Sequence, residues 1–189
     1  MPRIVDHEQR RAEIIQAVWS LIGDHGIEAV TMRRVAERAG ISVGRIQHYF
    51  ASKEDLVHAA CTAMIGGAMQ AYEAGAAGRR PAERLQALLV QPFARTDDFR
   101  RGARVWLTFV AKSVDDPWIA EEVRSAKAGA EAAIAALLAE GGLDPRAARG
   151  LLALSDGLAE RTLTGSLTAD EATEVVDTAV RALPRASGT

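Results

Sequence analysis

An all-α fold of about nine helices is what the sequence predicts, and three observations predict it. The 189 residues are 48% apolar, yet Ala and Leu supply much of that fraction and Phe, Trp and Tyr together make up only 5%. This composition favours helices over sheets. Apolar residues recur at helical spacing rather than in strict alternation. Gly, Pro and capping residues divide the chain into segments joined by short connections. A chain of this length buries a core without disulfides or a metal.

The first helix is predicted from about Asp6 to Asp24, with Ile14, Ile15, Val18, Leu21 and Ile22 on one face and a stop at Gly26. Thr31 caps a short second helix through Arg38 that ends at Ala39-Gly40, and Ser42 caps a third from Val43 to about Tyr49. Ser52 with Asp55 forms a capping box for a long fourth helix that lasts until Gly75 to Gly78. Pro81 opens a segment through Phe93, and Thr96 or Asp97 opens another across Trp106 and Phe109. Asp116-Pro117 starts a helix that runs to Gly141-Gly142, and Asp144-Pro145 starts one ending near Gly165. Thr168 with Glu171 caps a last helix through Leu183, and the tail from Pro184 to Thr189 is expected to fray.

Charge separates the chain into two parts. The net charge of -2 gives no global sign of a nucleic-acid partner. Locally, Thr31 to Lys53 holds five cations, Arg33, Arg34, Arg38, Arg45 and Lys53, against the single anion Glu37, whereas residues 61–189 hold 15 cations and 17 anions. The basic stretch is TMRRVAERAGISVGRIQHY followed closely by Lys53, two helices of about two turns joined through a glycine that can take positive φ. Val35, Ala36, Ile41 and Ile46 fall where these helices would meet and face the first. Val43, Gly44, Arg45, Gln47, His48 and Tyr49 fall on the outward face, a mixture able to read base edges and hold phosphates. A structural pair of short helices is the competing reading. Lys53 weighs against it, because a cation in a helix's first turn opposes the helix dipole and calls for an anion nearby.

The run GIEAVTMRRVAERAGISVGRIQHYFASKEDL resembles the signature of TetR/AcrR-family regulators over about residues 10–60, and FASKEDL is its most diagnostic part. The resemblance implies a DNA-binding domain over 1–52, with Thr31, His48, Tyr49 and Lys53 at phosphate-touching positions and Arg33, Val43, Gly44, Arg45 and Gln47 facing bases or the groove. It implies a ligand-binding and dimerisation domain over 53–189. Gln47-His48-Tyr49 stands where Tyr-Tyr-His is usual in the family, a variant similar to the BetI-like branch. Weaker similarity to that branch continues through Trp106 to Phe109, Asp115-Asp116-Pro117 and Asp156-Gly157-Leu158.

In the second domain Met64, Met69, Tyr72, Phe93, Trp106, Phe109 and Trp118 are the residues from which an effector pocket could be lined, with core packing as their default role. Asp156 and Arg161 could orient a ligand or be ordinary surface charges. The last two helices carry dense apolar faces: Leu151, Leu154, Ser155, Leu158 and Thr162 on one, Val175, Val176, Ala179, Val180 and Leu183 on the other. These bury either into their own subunit or against a twin, and the resemblance implies a homodimer through a four-helix bundle.

His58 and Cys61 share a helix face without a third partner in the sequence, so no catalytic residue and no metal site is assigned, and no cofactor is expected. The lone cysteine and the absence of a signal-like or bilayer-length apolar run lead to the expectation of a cytoplasmic protein without a membrane partner. The sequence therefore predicts a regulator that binds palindromic double-stranded DNA and is released by a small-molecule effector. A helical interaction or scaffold protein is the alternative, and a small helical enzyme a third.

Overall fold

Capping side chains mark the helix starts found in the computed structural model, which describes residues 2–185, with side chains from His7 onward. Among the described residues the helices are α1 (Pro2–His25), α2 (Met32–Ala39), α3 (Val43–Gln47), α4 (Lys53–Ala76), α5 (Pro81–Val90), α6 (Asp97–Lys112), α7 (Pro117–Glu140), α8 (Ala148–Leu163) and α9 (Ala169–Arg181). Single 3₁₀ turns cover Ile27–Ala29 and Pro145–Ala147. The hydroxyls of Thr31 and Ser42 accept the amides of Arg34 and Arg45, both at 3.2 Å. At α4 the box is reciprocal: the Asp55 amide donates to Ser52 Oγ at 3.0 Å, and the Ser52 amide donates to the Asp55 carboxylate at 3.1 Å. Each such cap is worth about 1 kcal/mol.

Several boundaries differ from expectation. The helix opening at Pro81 stops at Val90, short of Phe93, and α3 ends at Gln47, short of Tyr49. The Asp144-Pro145 start gives a 3₁₀ turn before α8, because the Asp144 side chain caps the amide of Arg146 and tightens that turn. The tail is held where it leaves α9: Leu143 and Arg185 form an isolated bridge, and the Asp144 amide donates to the Pro184 carbonyl at 3.3 Å. The rest of the tail expected to fray, residues 186–189, lies outside the described residues.

The chain forms two compact units. The first comprises the residues up to Gly66 together with Arg104–Val123, and its core joins Ile14, Val18 and Ile22 of α1 to Val35, Ile46, Leu56 and Phe109. Trp19 Nε1 donates to the Ala60 carbonyl at 2.9 Å, and Arg104 donates to the Gly23 carbonyl at 2.9 Å, so polar atoms at the edge of this core are satisfied. The second unit comprises Gly67–Ala103 and the residues from Arg124 onward. Its core joins Leu85 and Leu89 of α5, Phe93, Ile134 and Leu138 of α7, Leu151 and Leu158 of α8, and Val176 of α9. The units follow compactness and divide α4, α6 and α7, whereas the boundary after residue 52 expected from the sequence separates a DNA-binding segment from the remainder.

In the second unit the apolar faces of α8 and α9 turn inward. Leu151, Ser155, Leu158, Thr162 and Val176 are all buried within the subunit, and Leu154, Val180 and Leu183 pack partly buried against the same core. Ser155 Oγ donates to the Leu89 carbonyl at 2.6 Å, and Thr162 Oγ1 accepts the Ala94 amide at 3.2 Å. Within the chain the partners of these side chains are α5, α7 and the Phe93 segment. Among these two helices' large apolar residues, Val175 remains exposed at 41%.

Candidate nucleic-acid interface

The α2–α3 pair is set by three features of its sequence. Val35, Ala36 and Ile46 are buried against α1, and small Ala36 lets the helix axes approach closely. Gly40 sits at φ 67°, the left-handed conformation that ends α2 and lets the chain turn sharply into α3. Ser42 then starts α3 at once. With the apolar side committed to α1, the opposite side carries Thr31, Arg33, Val43, Gly44, Arg45, Gln47 and His48, all exposed, with Tyr49 and Lys53 half-buried. All nine residues expected to touch DNA are thus on the pair or at its edges, within one compact unit.

Their charges are not all uncommitted. Arg33 pairs with Glu37 at 3.0 Å, Arg38 with Asp24 at 3.0 Å, and Lys53 lies 3.7 Å from Glu28. The cation in the first turn of α4 therefore has protein anions at hand, Glu28 beside it and Glu54 and Asp55 in the same turn, so its placement does not require phosphate. Sequence reasoning missed this because Glu28 lies outside the basic stretch. Arg34 and Arg45 make no ion pair among the described residues, and the Arg45 guanidinium lies 5.9 Å from the centre of the Tyr49 ring. Exposed pairs of this kind are worth little, so a phosphate can replace the carboxylate partner.

The residues expected to line an effector pocket fall in different places. In the first unit Phe109 is fully buried with Met64 packed against the same core, Trp106 is half-buried, and Trp118 is exposed at 41%. In the second, Phe93 is fully buried, Met69 is exposed, and the hydroxyl of Tyr72 is buried with no hydrogen-bond partner among the described residues. Phe93 and Phe109 therefore act as core rings of two separate clusters. Asp156 is paired with Lys127, so it is an ion-paired surface charge.

The third partner that His58 lacked in the sequence is Asp116. Its carboxylate lies 3.3 Å from His58 Nε2, and the His58 ring stacks on Trp118 with centroids 4.1 Å apart and planes 16° from parallel. Burial works to raise the Asp116 pKa, but the Ile119 amide, His58 and the Trp118 amide overcome it and hold the carboxyl below its ordinary value. Cys61 on the same helix is pushed up to about 12 by burial, with the charges of Glu122 and Asp116 adding to it. A thiol so protonated is a poor nucleophile, and Cys61 serves as core. No group of three or more His, Cys, Asp or Glu able to hold a metal occurs among the described residues. No described helix is long and apolar enough to cross a membrane.

Two family models match: bacterial regulatory proteins of the tetR family over residues 14–60, and the C-terminal domain of BetI-type transcriptional repressors over residues 81–185. The HTH-type transcriptional regulator BetI of Burkholderia cenocepacia is 33% identical over 166 residues, covering 84% of either chain. The BetI of Burkholderia lata is 32% identical over 121 residues, a match spanning 62% of that relative's length. Among solved structures, a transcriptional regulator from Saccharomonospora viridis in complex with choline superposes with a TM-score of 0.84 at 25% identity, over 94% of this chain and all of that one. With its capped α2–α3 reader and its BetI-type remainder, the chain belongs to the TetR family of bacterial transcriptional regulators.

Proposed function

We propose that this TetR-family regulator is a repressor that grips a palindromic operator as a homodimer and releases it when a small effector binds. The observation that carries the reading is the α2–α3 pair, whose buried side is fixed by α1 while Arg45, Gln47, His48 and the Thr31 edge stay exposed on the other. Phosphate contacts by Thr31, His48, Tyr49 and Lys53 fix register, and base-edge contacts by Arg33, Arg45 and Gln47, with Val43 and Gly44 giving close approach, supply sequence preference. Functionally the chain divides into a DNA-binding part over 1–52 and an effector-binding and dimerising part over 53–189.

For dimerisation the supporting surface is the outward side of the α8–α9 hairpin, with Leu154, Val175, Ala179 and Val180 at its edges and the inward residues serving as its foundation. For the effector, the Saccharomonospora viridis relative's complex with choline favours a small quaternary ammonium compound. Aromatic faces attract such cations. Of the aromatic residues expected to line a pocket, Trp106 in the first unit and Tyr72 in the second are half-buried, and Trp118 in the first is exposed. The unpartnered Tyr72 hydroxyl also offers a hydrogen bond that a ligand could take.

Selection of bound fragments from the source genome with purified protein tests the reading. A palindromic site with half-sites a whole number of helical turns apart is expected, with affinity falling steeply as salt rises. Protein that selects no common sequence and shows no salt-dependent binding refutes it. Choline titrated against the operator complex tests the effector class, with release as the expected result.

A further inference from the structure

A cluster of rings on the reader includes a residue from outside the helix-turn-helix. His7 of α1 lies against Tyr49, with ring centroids 4.5 Å apart and planes tilted by 36°. His48 meets Tyr49 edge-on at 5.4 Å and lies 6.3 Å from His7. The Arg45 guanidinium approaches the same tyrosine ring at 5.9 Å. Both histidines and Arg45 are exposed, and only Tyr49 is half-buried, so the cluster contributes little to the core. Tyr49 is the hub, touched by one residue of α1 and one of α3 as well as by its neighbour in the chain.

Charges of both signs flank the cluster. On α1 they are Glu8, Arg10, which is paired with Glu13, and Arg11, whose guanidinium lies 5.2 Å from the centre of the Phe50 ring. Arg45 comes from α3, and Lys53, with Glu28 beside it, opens α4. Tyr49 and His48 are phosphate-facing in the operator reading, and His7 is the residue outside the helix-turn-helix that packs on Tyr49.

We propose that His7 is a further positioning residue of the DNA-reading surface: its ring, packed on Tyr49, holds that side chain in place for its phosphate contact. The inference rests on the operator reading given above. A ring already held in its contact position loses less side-chain freedom when it meets a phosphate, so more of that contact appears as affinity.

Fluorescence anisotropy of the full chain with an operator duplex at fixed pH and salt tests this. His7→Phe keeps a ring against Tyr49 and is expected to retain most of the affinity. His7→Ala removes the ring and is expected to weaken binding several-fold, with thermal unfolding unchanged. His7→Ala equal to the unmodified protein, or His7→Phe as weak as His7→Ala, overturns the inference. Failure of the unmodified protein to bind with salt dependence defeats the operator reading and the inference together, which distinguishes the two cases.

Discussion

The α2–α3 pair and the α8–α9 hairpin are both two helices joined by a short connection, yet they spend their side chains in opposite ways. In α8–α9 the long apolar residues Leu151, Leu158 and Val176 point into the subunit, and even the polar Ser155 and Thr162 are buried and bonded to neighbouring backbone. In α2–α3 three small or branched residues, Val35, Ala36 and Ile46, suffice to anchor the pair, and almost everything else faces outward. One pair is a wall of the core, and the other is a platform that presents chemistry. The difference teaches that a dense apolar helix face identifies what a helix packs against in its own subunit before it identifies any partner.

The sharpest way to break this contrast is to truncate an inward residue of the hairpin. Leu158→Ala is expected to cost about 2 to 5 kcal/mol of stability, read by urea or thermal unfolding, because a buried leucine leaves a cavity among α5, α7 and α9. A loss below about 0.5 kcal/mol, with dimers dissociating instead, would return Leu158 to the subunit interface. On the platform the opposite holds. Arg45→Ala should leave unfolding within about 0.5 kcal/mol of the parent and weaken preferred operator sequences by about 1 to 3 kcal/mol, with relaxed base preference at one position.

Smaller changes sharpen the same comparison. Ser42→Ala removes the cap on the Arg45 amide and is expected to cost about 1 kcal/mol of stability. Operator binding should fall with it, since α3 is only five residues long and has little else to hold its first turn. Asp116 gives an effect of pH in the first unit's core. Because its folded pKa is lowered, its stabilising contribution is present above the ordinary carboxylate value of about 4 and is lost as pH falls through the lowered one. Asp116→Asn should therefore be less stable than the parent at neutral pH, and the gap should close in strong acid, as acid titration of the unfolding midpoint would show. The smallest effect expected is a gain. Glu28→Gln frees Lys53 from its neighbour and should tighten DNA binding by a few tenths of a kcal/mol, visible at low salt and absent at high salt.

How far the sequence reached is clear at particular residues. Helix starts were legible because capping is local: Thr31, Ser42, Ser52, Asp116 and Thr168 each bond an amide two or three residues on, and no distant partner is needed. The reader was legible for the same reason, since Gly40 and the spacing of Val35, Ala36 and Ile46 lie within a dozen residues. Partners far apart in the chain were not legible. Lys53 with Glu28, His58 with Asp116 and His7 with Tyr49 are side-chain meetings across folded space that no spacing rule announces.

The sequence by itself determined the helical class, the order of the elements and which face of the short second and third helices is free, because periodicity and caps act within a turn or two of backbone. Tertiary structure decided the rest. It assigned the apolar side of α8 and α9 to the subunit's own core, it placed Phe93 and Phe109 in two different clusters, and it gave the cation that opens α4 a carboxylate neighbour. Burial and charge pairing depend on what lies across a few ångströms of space, and only the folded chain fixes that.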